Sequence, residues 1–408
     1  MGRISIDMRA DKVSHSDLSQ TNWRIVFLVC LGVAVSLLPL LFQLSAPSNP
    51  RMGAIFAYLL AVIAAVLCYA LDRTPTKKEK ADALFLCVGL VLTTTYLHVW
   101  LVDLNSYFQG HANLEWQIYM QNSVLGLSRE TLPHSYRFLP NSLVRLFEQF
   151  SGDFASARDG YRNLFGVLFF YSFYRFARLF LRHGGSLLCL ALLAVIFPVS
   201  FRFYAGQLTD PLAHLSFVLA FIFIYRRQFV YLLLTIAIGC LVKESIMAMA
   251  GYYILFRWRE DSYILKSALL VVVSLTVYEI ARVSVLHGFQ SYQQISGVGF
   301  EHVAENWNDY SNWLPGLIFM VGIFVPFVIA GWQKSPWTLR ALAIYWFPTL
   351  FFSSLFFSWL REARNFVPLS ALLAVMAVLQ LLPAERLEQS SDTTSRPDHR
   401  GSRKVRAR

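Results

Sequence analysis

Apolar runs of 14–24 residues, most of them near the length of about 20 that a helix needs to cross a hydrocarbon core, recur along this chain between short polar breaks. They fall at residues 23–44, 52–71, 83–101, 164–181, 186–204, 212–225, 263–286, 313–329, 339–357 and 366–382. One further stretch, 229–256, is apolar except for Lys243-Glu244 at its centre, and both of its flanks are basic. A single crossing there would place Arg257 on the side opposite Arg226-Arg227. Two short helices meeting at Lys243-Glu244 would return the chain to its starting side, which the positive-inside rule favours. A β-barrel would instead alternate in short segments, because lipid-facing and lumen-facing residues alternate along a strand. The pattern predicts an all-α, polytopic transmembrane helical bundle with about 11–13 membrane segments.

Charge gives this bundle an orientation. Basic clusters lie at Arg73 with Lys77, Lys78 and Lys80, at Arg175, Arg178 and Arg182, at Arg226-Arg227, and at Lys334 with Arg340. Each falls where a cytoplasmic loop is expected. Residues 1–22 then read as a cytoplasmic tail, 23–383 as the transmembrane domain, and 384–408 as a basic, disordered cytoplasmic tail. Both termini are then expected on the cytoplasmic side of the membrane. Two large loops, 102–161 and 287–312, face outward, and no internal repeat is evident.

Composition agrees. The 408 residues are 56% hydrophobic and 15% aromatic, too apolar for a soluble chain of this length. The net charge of +11 sits in the clusters between spans, so it argues for membrane orientation and against nucleic-acid binding. Cys30, Cys68, Cys87, Cys189 and Cys240 lie in or beside apolar spans without paired spacing, which fits small buried hydrophobes rather than disulfides or a zinc site.

Water-side chemistry belongs to the outward polar groups. These are Asp103 with Asn105, Tyr136-Arg137, Asp210, Lys243-Glu244, and Arg361-Glu362 with Arg364. Ionisable groups at such depth must pair, face water or meet an ionic ligand. Acids near several bases suit removal of a hydroxyl proton and neutralisation of a leaving phosphate. Each has a plainer reading: headgroup-level termini, interfacial anchors, internal ion pairs, and for Asp210 before Pro211 a helix N-cap. The histidines form no metal pattern. No cofactor is certain, although hard-cation sites need only one or two carboxylates plus phosphate, which leaves room for a divalent cation. The first loop also carries two amphipathic segments, 114–127 and 142–150. In the second, Leu143, Leu146, Phe147 and Phe150 share one face, as expected of helices lying on a membrane surface.

Several tracts together resemble the GT-C superfamily of polytopic glycosyltransferases, closest to its bacterial envelope-polysaccharide members. They are Asp103 after a span, the loop's surface helices, Tyr136-Arg137-Phe138-Leu139-Pro140, Gln207-Leu208-Thr209-Asp210-Pro211, Lys243-Glu244, and Glu362-Ala363-Arg364 before a last span. The resemblance implies transfer of a sugar from a polyprenyl-phosphate-linked donor, within the membrane lipid, to a glycan, lipid or protein acceptor outside. Asp103 would be the catalytic base. In the family this acid follows the first span, whereas here two spans precede the one ending at Asp103, so Glu115 is the alternative. Lys243, Arg137, Arg361 and Arg364 would hold the lipid phosphate, with Glu244 orienting Lys243. Asn105, Tyr136, Asp210 and Glu362 complete the candidate substrate site. A repeat-unit polymerase or a lipid-linked glycan flippase would share many of these features.

Overall fold

The computed structural model describes residues 51–72, 76–98, 114–126, 137–197, 207–286 and 300–382. The expected first span, both tails, Asp103, Asn105 and Tyr136 lie outside the described residues. Fifteen α-helices are present among them. In order these are α1 (Arg51–Leu71), α2 (Lys77–His98), α3 (Leu114–Leu125), α4 (Phe138–Ser151) and α5 (Phe154–Ala177). They continue with α6 (His183–Ile196), α7 (Thr209–Tyr225), α8 (Phe229–Cys240), α9 (Ala248–Phe256) and α10 (Tyr263–Leu286). The last are α11 (Phe300–Asn308), α12 (Tyr310–Met320), α13 (Val325–Ala330), α14 (Trp337–Phe357) and α15 (Val367–Leu381).

Two helices organise the packing. α5 lies against α1, α2, α4, α6 and α7, and α15 against α6, α13 and α14. Between Val367 and Leu379 every residue of α15 is buried. A helix that is apolar all round belongs in the middle of a bundle, as this one is. Three described helices are long and apolar enough to cross a membrane, Tyr263–Ser284, Trp337–Phe357 and Ala363–Leu381. A fourth is available if the pair Tyr310–Met320 and Gly322–Ala330, bent by 40°, counts as one span. Of the other expected spans, His183–Ile196, Thr209–Tyr225 and the two arms of 229–256 are shorter apolar helices. Pro315 and Pro326 account for the bent pair, since each lacks an N–H and disturbs the preceding turn. Large apolar side chains such as Val66, Val230, Leu234, Ile264, Val272, Ile329 and Phe352 are exposed along the outer helices. Such a belt is a surface made for an apolar surrounding.

The 229–256 stretch folds as the two-short-helix reading expects. α8 runs 12 residues, roughly 18 Å, and a turn and a 3-10 helix (Glu244–Met247) reverse the chain into α9. The arms touch closely at the tip, where a Cβ on Gly239 would meet Ile246 Cγ1 at 2.9 Å. At the open end the Phe229 and Tyr253 rings lie 5.9 Å apart, and Arg257 Nη2 donates to Ile224 O at 2.7 Å. Arg257 therefore finishes beside the end of α7, where the hairpin began.

That end of the bundle gathers the basic clusters, and acids answer them. Arg175 pairs with Asp72 at 2.9 Å, Arg178 with Glu79 at 3.5 Å, and Arg257 with Glu260 at 2.6 Å. Arg137, Asp210, Lys243, Glu244, Glu362 and Arg364 collect at the opposite end.

Two loop boundaries differ from the sequence expectation. The first loop was drawn to residue 161, but α5 already starts at Phe154, N-capped by Asp153, whose carboxylate accepts from Ser156 N at 2.8 Å. Hydropathy hid this turn because its polar side chains are satisfied by one another. Arg158 donates to Gln117 Oε1 at 3.0 Å and Thr95 to Asn163 Oδ1 at 2.7 Å. The amphipathic segment read as 142–150 is α4, which starts at Phe138 with Pro140 in its first turn and ends at Gly152, whose φ of 86° suits glycine. Leu146 and Phe150 are exposed on it, while Leu143 and Phe147 pack inward.

The second loop likewise contains α11, and this helix docks by capping another. Asn306 Nδ2 lies 3.0–3.4 Å from the Ser354, Leu355 and Ser358 carbonyls at the end of α14, and its Oδ1 accepts from Leu360 N at 2.9 Å. These are the orphan carbonyls that any helix end leaves. Asn306→Ala is expected to cost about 2 kcal/mol, because buried polar groups lose their partner. The check is the unfolding midpoint in mild detergent, and an unchanged midpoint would show that the cap is dispensable.

Candidate functional site

At the end opposite the basic clusters, four helices start close together: α4, α7, the 3-10 turn leading into α9, and the 3-10 turn Ala363–Phe366 leading into α15. The contacts between them fix this arrangement. Leu139 N, an unsatisfied donor of α4's first turn, reaches Leu241 O at the hairpin tip over 3.4 Å. Arg137, just before α4, grips Glu244 on the tip through both Nε (3.0 Å to Oε2) and Nη2. Burial works against the Arg137 charge, and the Glu244 carboxylate more than restores it, so its pKa lies above the ordinary value.

Arg364 is the second centre. Its Nη2 meets Glu362 Oε2 at 2.7 Å and its Nη1 meets Asp210 Oδ2 at 3.3 Å, which ties the start of α15 to the start of α7. His214, one turn along α7, lies with Nε2 3.1 Å from the Arg364 carbonyl, so Nε2 carries the proton there. Lys243 Nζ donates to Asn365 Oδ1 at 2.7 Å and lies within electrostatic reach of Asp210, Arg364, Arg137 and Glu362. Arg162, buried on α5, acts on Asp210 as well.

Four bases (Arg137, Arg162, Lys243 and Arg364) thus surround three acids (Asp210, Glu244 and Glu362), and the positive ends of four helices join them. Helix starts and a surplus of cations favour an anion. Asp210 Oδ1 has no hydrogen-bond partner among the described residues although the group is buried.

Several sequence expectations are corrected by this geometry. Glu244 does not orient Lys243. It pairs with Arg137, and Asn365 holds Lys243. Asp210 is not the N-cap of α7, because Leu208 occupies that position and the Asp210 side chain goes to Arg364. Arg361 turns away to Asp309 at 3.4 Å and lies over Trp359, since a long arginine on a short turn takes the nearer acid. Glu115 is exposed on α3, opposite the face that buries Gln117 and Gln121. Arg137, Asp210, Lys243, Glu244, Glu362 and Arg364 are brought together.

Arg162 and Asn365 were not singled out from sequence. Asn365 directly follows the charged tract and could have been found there. Arg162 offered no signal, because it sat in what read as the edge of a loop. Among the described residues no group of three or more His, Cys, Asp or Glu side chains could hold a metal ion. Cys68, Cys87, Cys189 and Cys240 are buried thiols.

A small half-open cavity, with room for about two waters, adjoins the cluster between α3, α4 and the start of α7, and Arg137 forms part of its wall. Gln207 Oε1 and Thr209 Oγ1 are buried at this cavity without a hydrogen-bond partner among the described residues. An unmade bond at such a position costs about 1–3 kcal/mol. Compared with family models, curated proteins and solved structures, the chain matches none.

Proposed function

We propose that this chain is a membrane glycosyltransferase of the GT-C kind, moving a sugar from a polyprenyl-phosphate-linked donor to an acceptor in envelope or exopolysaccharide synthesis. One observation carries the proposal: four bases and four helix starts gathered around Asp210, Glu244 and Glu362 at the end away from the basic loops. The positive-inside rule puts those loops in the cytoplasm and the cluster on the outer face. Lipid-linked sugars are presented on that face, and the exposed Leu146 and Phe150 of α4 suit a helix lying in its interface.

In the reaction the acceptor hydroxyl oxygen bonds to the anomeric carbon while the bond from that carbon to the phosphate oxygen breaks. The polyprenyl phosphate leaves, and a carboxylate takes the hydroxyl proton. Lys243 and Arg364 neutralise the charge that develops on the phosphate. By the family resemblance Asp103 is the base. Among the described carboxylates, Asp210 faces both Lys243 and Arg364.

Reconstituted vesicles test this reading. The protein should bind undecaprenyl phosphate and not undecaprenol, and Lys243→Met should weaken that binding about tenfold, as expected for one charge-assisted contact. Asp103→Asn should abolish glycan transfer while donor binding persists. Equal binding of phosphate and alcohol would sink the transferase reading, and wild-type transfer by Asp103→Asn would remove Asp103 as base.

A further inference from the structure

We propose that Asn365 is a positioning residue: as a neutral tether it aims the Lys243 ammonium while leaving its charge for an arriving phosphate. The inference rests on the transferase reading of the cluster and adds a residue to the machinery of that site.

The bases of the cluster are held in different ways. Arg137 meets Glu244 through two nitrogens, and Arg364 reaches both Glu362 and Asp210. Lys243 forms no ion pair among the described residues. Its Nζ donates at 2.7 Å to Asn365 Oδ1, an uncharged acceptor, and Asp210 and Glu362 act on it only at longer range. Access separates the bases too. Arg137, Arg162 and Arg364 are buried, whereas Lys243 and Asn365 are half-buried. An anion entering the cluster therefore finds in Lys243 a cation that is reachable and not neutralised by contact. An ammonium has three donors, so one bond to an amide leaves two N–H groups for phosphate oxygens.

The amide is itself fixed. Because Nζ can only donate, Asn365 Oδ1 must face it. Nδ2 then points the other way, 3.4 Å from Ser358 Oγ. Ser358 Oγ lies 3.5 Å from Glu362 Oε2, and Glu362 meets Arg364 at 2.7 Å. Donors and acceptors thus run in one direction from Lys243 through Asn365 and Ser358 to Glu362. A lysine is a point charge on a flexible four-carbon stem, so a fixed acceptor is what holds Nζ in place. A carboxylate at this position would hold Nζ equally well, but it would neutralise the ammonium and repel the phosphate. The amide supplies direction without negative charge.

Full-length protein in lipid nanodiscs tests the inference, with undecaprenyl phosphate and undecaprenol as paired probes. Asn365→Asp should leave the unfolding midpoint level or raise it, because a charged acceptor replaces a neutral one. It should nevertheless weaken undecaprenyl phosphate binding about tenfold or more, since a like charge then faces the phosphate. A structural tie would leave binding unchanged, because the bond to Lys243 survives the substitution. Asn365→Leu, close in volume but without the acceptor, gives an independent reading if the charged variant does not fold. It should weaken phosphate binding about threefold alone and not at all in a Lys243→Met background, where no ammonium is left to aim. Wild-type binding by Asn365→Asp, or an equal loss from Asn365→Leu in both backgrounds, would overturn the tether. The transferase reading fails by other results. A wild type that prefers the phosphate and responds to these variants, yet transfers no glycan, would overturn that reading and leave the tether standing. A wild type that binds phosphate and alcohol equally would overturn both.

Discussion

Glu244→Met should destabilise the folded bundle by about 3 kcal/mol, the cost of breaking a buried ion pair from one side. The removed carboxylate leaves Arg137 with a side chain only 10% exposed and its strongest partner gone. Arg137→Met should cost less, because Glu244 is 29% exposed and water can reach the abandoned carboxylate. The double variant Arg137→Met with Glu244→Met should recover most of the loss, since an apolar pair of similar size carries no desolvation penalty. Unfolding midpoints of the four proteins in one detergent close the cycle. A coupling energy near zero would show that the pair does not tie α4 to the hairpin tip. Equal costs for the two single variants would contradict the burial argument.

This pair also shows how far the sequence could be read. The return of the chain at Lys243-Glu244 was legible, because basic flanks on both sides of a charged break leave few topologies that satisfy the charge rule. The partners were not legible. Glu244 sits next to Lys243 in sequence, yet the backbone reverses between α8 and the 3-10 turn and sends the two side chains to different helices. Adjacency along a chain says little about direction at a helix break. The same limit explains Arg361, which shares a short tract with Arg364 but reaches Asp309 instead of Asp210.

Hydropathy was a better guide to where helices exist than to where they begin. It found α10 and α14 to within a few residues, because lipid-length apolar runs have few alternatives. It missed the first turns of α5, where Arg158, Arg162 and Asn163 are buried against polar partners. In a bundle the apolar rule applies to the outer surface. Inner faces near a site follow hydrogen-bond satisfaction instead.

Arg364→Lys is the variant with the largest expected effect on transfer, a fall of about 10²–10³ in kcat, the cost of losing one preorganised donor from a transition state. The wild-type guanidinium reaches Asp210 and Glu362 at once and is 2% exposed. A lysine ammonium is a point donor that cannot span both carboxylates with the same geometry. Two explanations of the loss must be separated. If Arg364 acts only as a strut between α7 and α15, neutralising the stranded acids should restore both stability and transfer. If Arg364 neutralises the departing phosphate, the triple variant Arg364→Met, Asp210→Asn and Glu362→Gln should recover the unfolding midpoint but not kcat. Transfer should then stay at the level of Arg364→Met alone while KM for the donor rises in both. Restored kcat in the triple variant would leave Arg364 as a structural tie and move the phosphate charge to Lys243, which Asp210 also faces. The expected result, a protein as stable as the wild type with the phosphate still unneutralised, follows because the two acids and the leaving group make separate demands on the same cation.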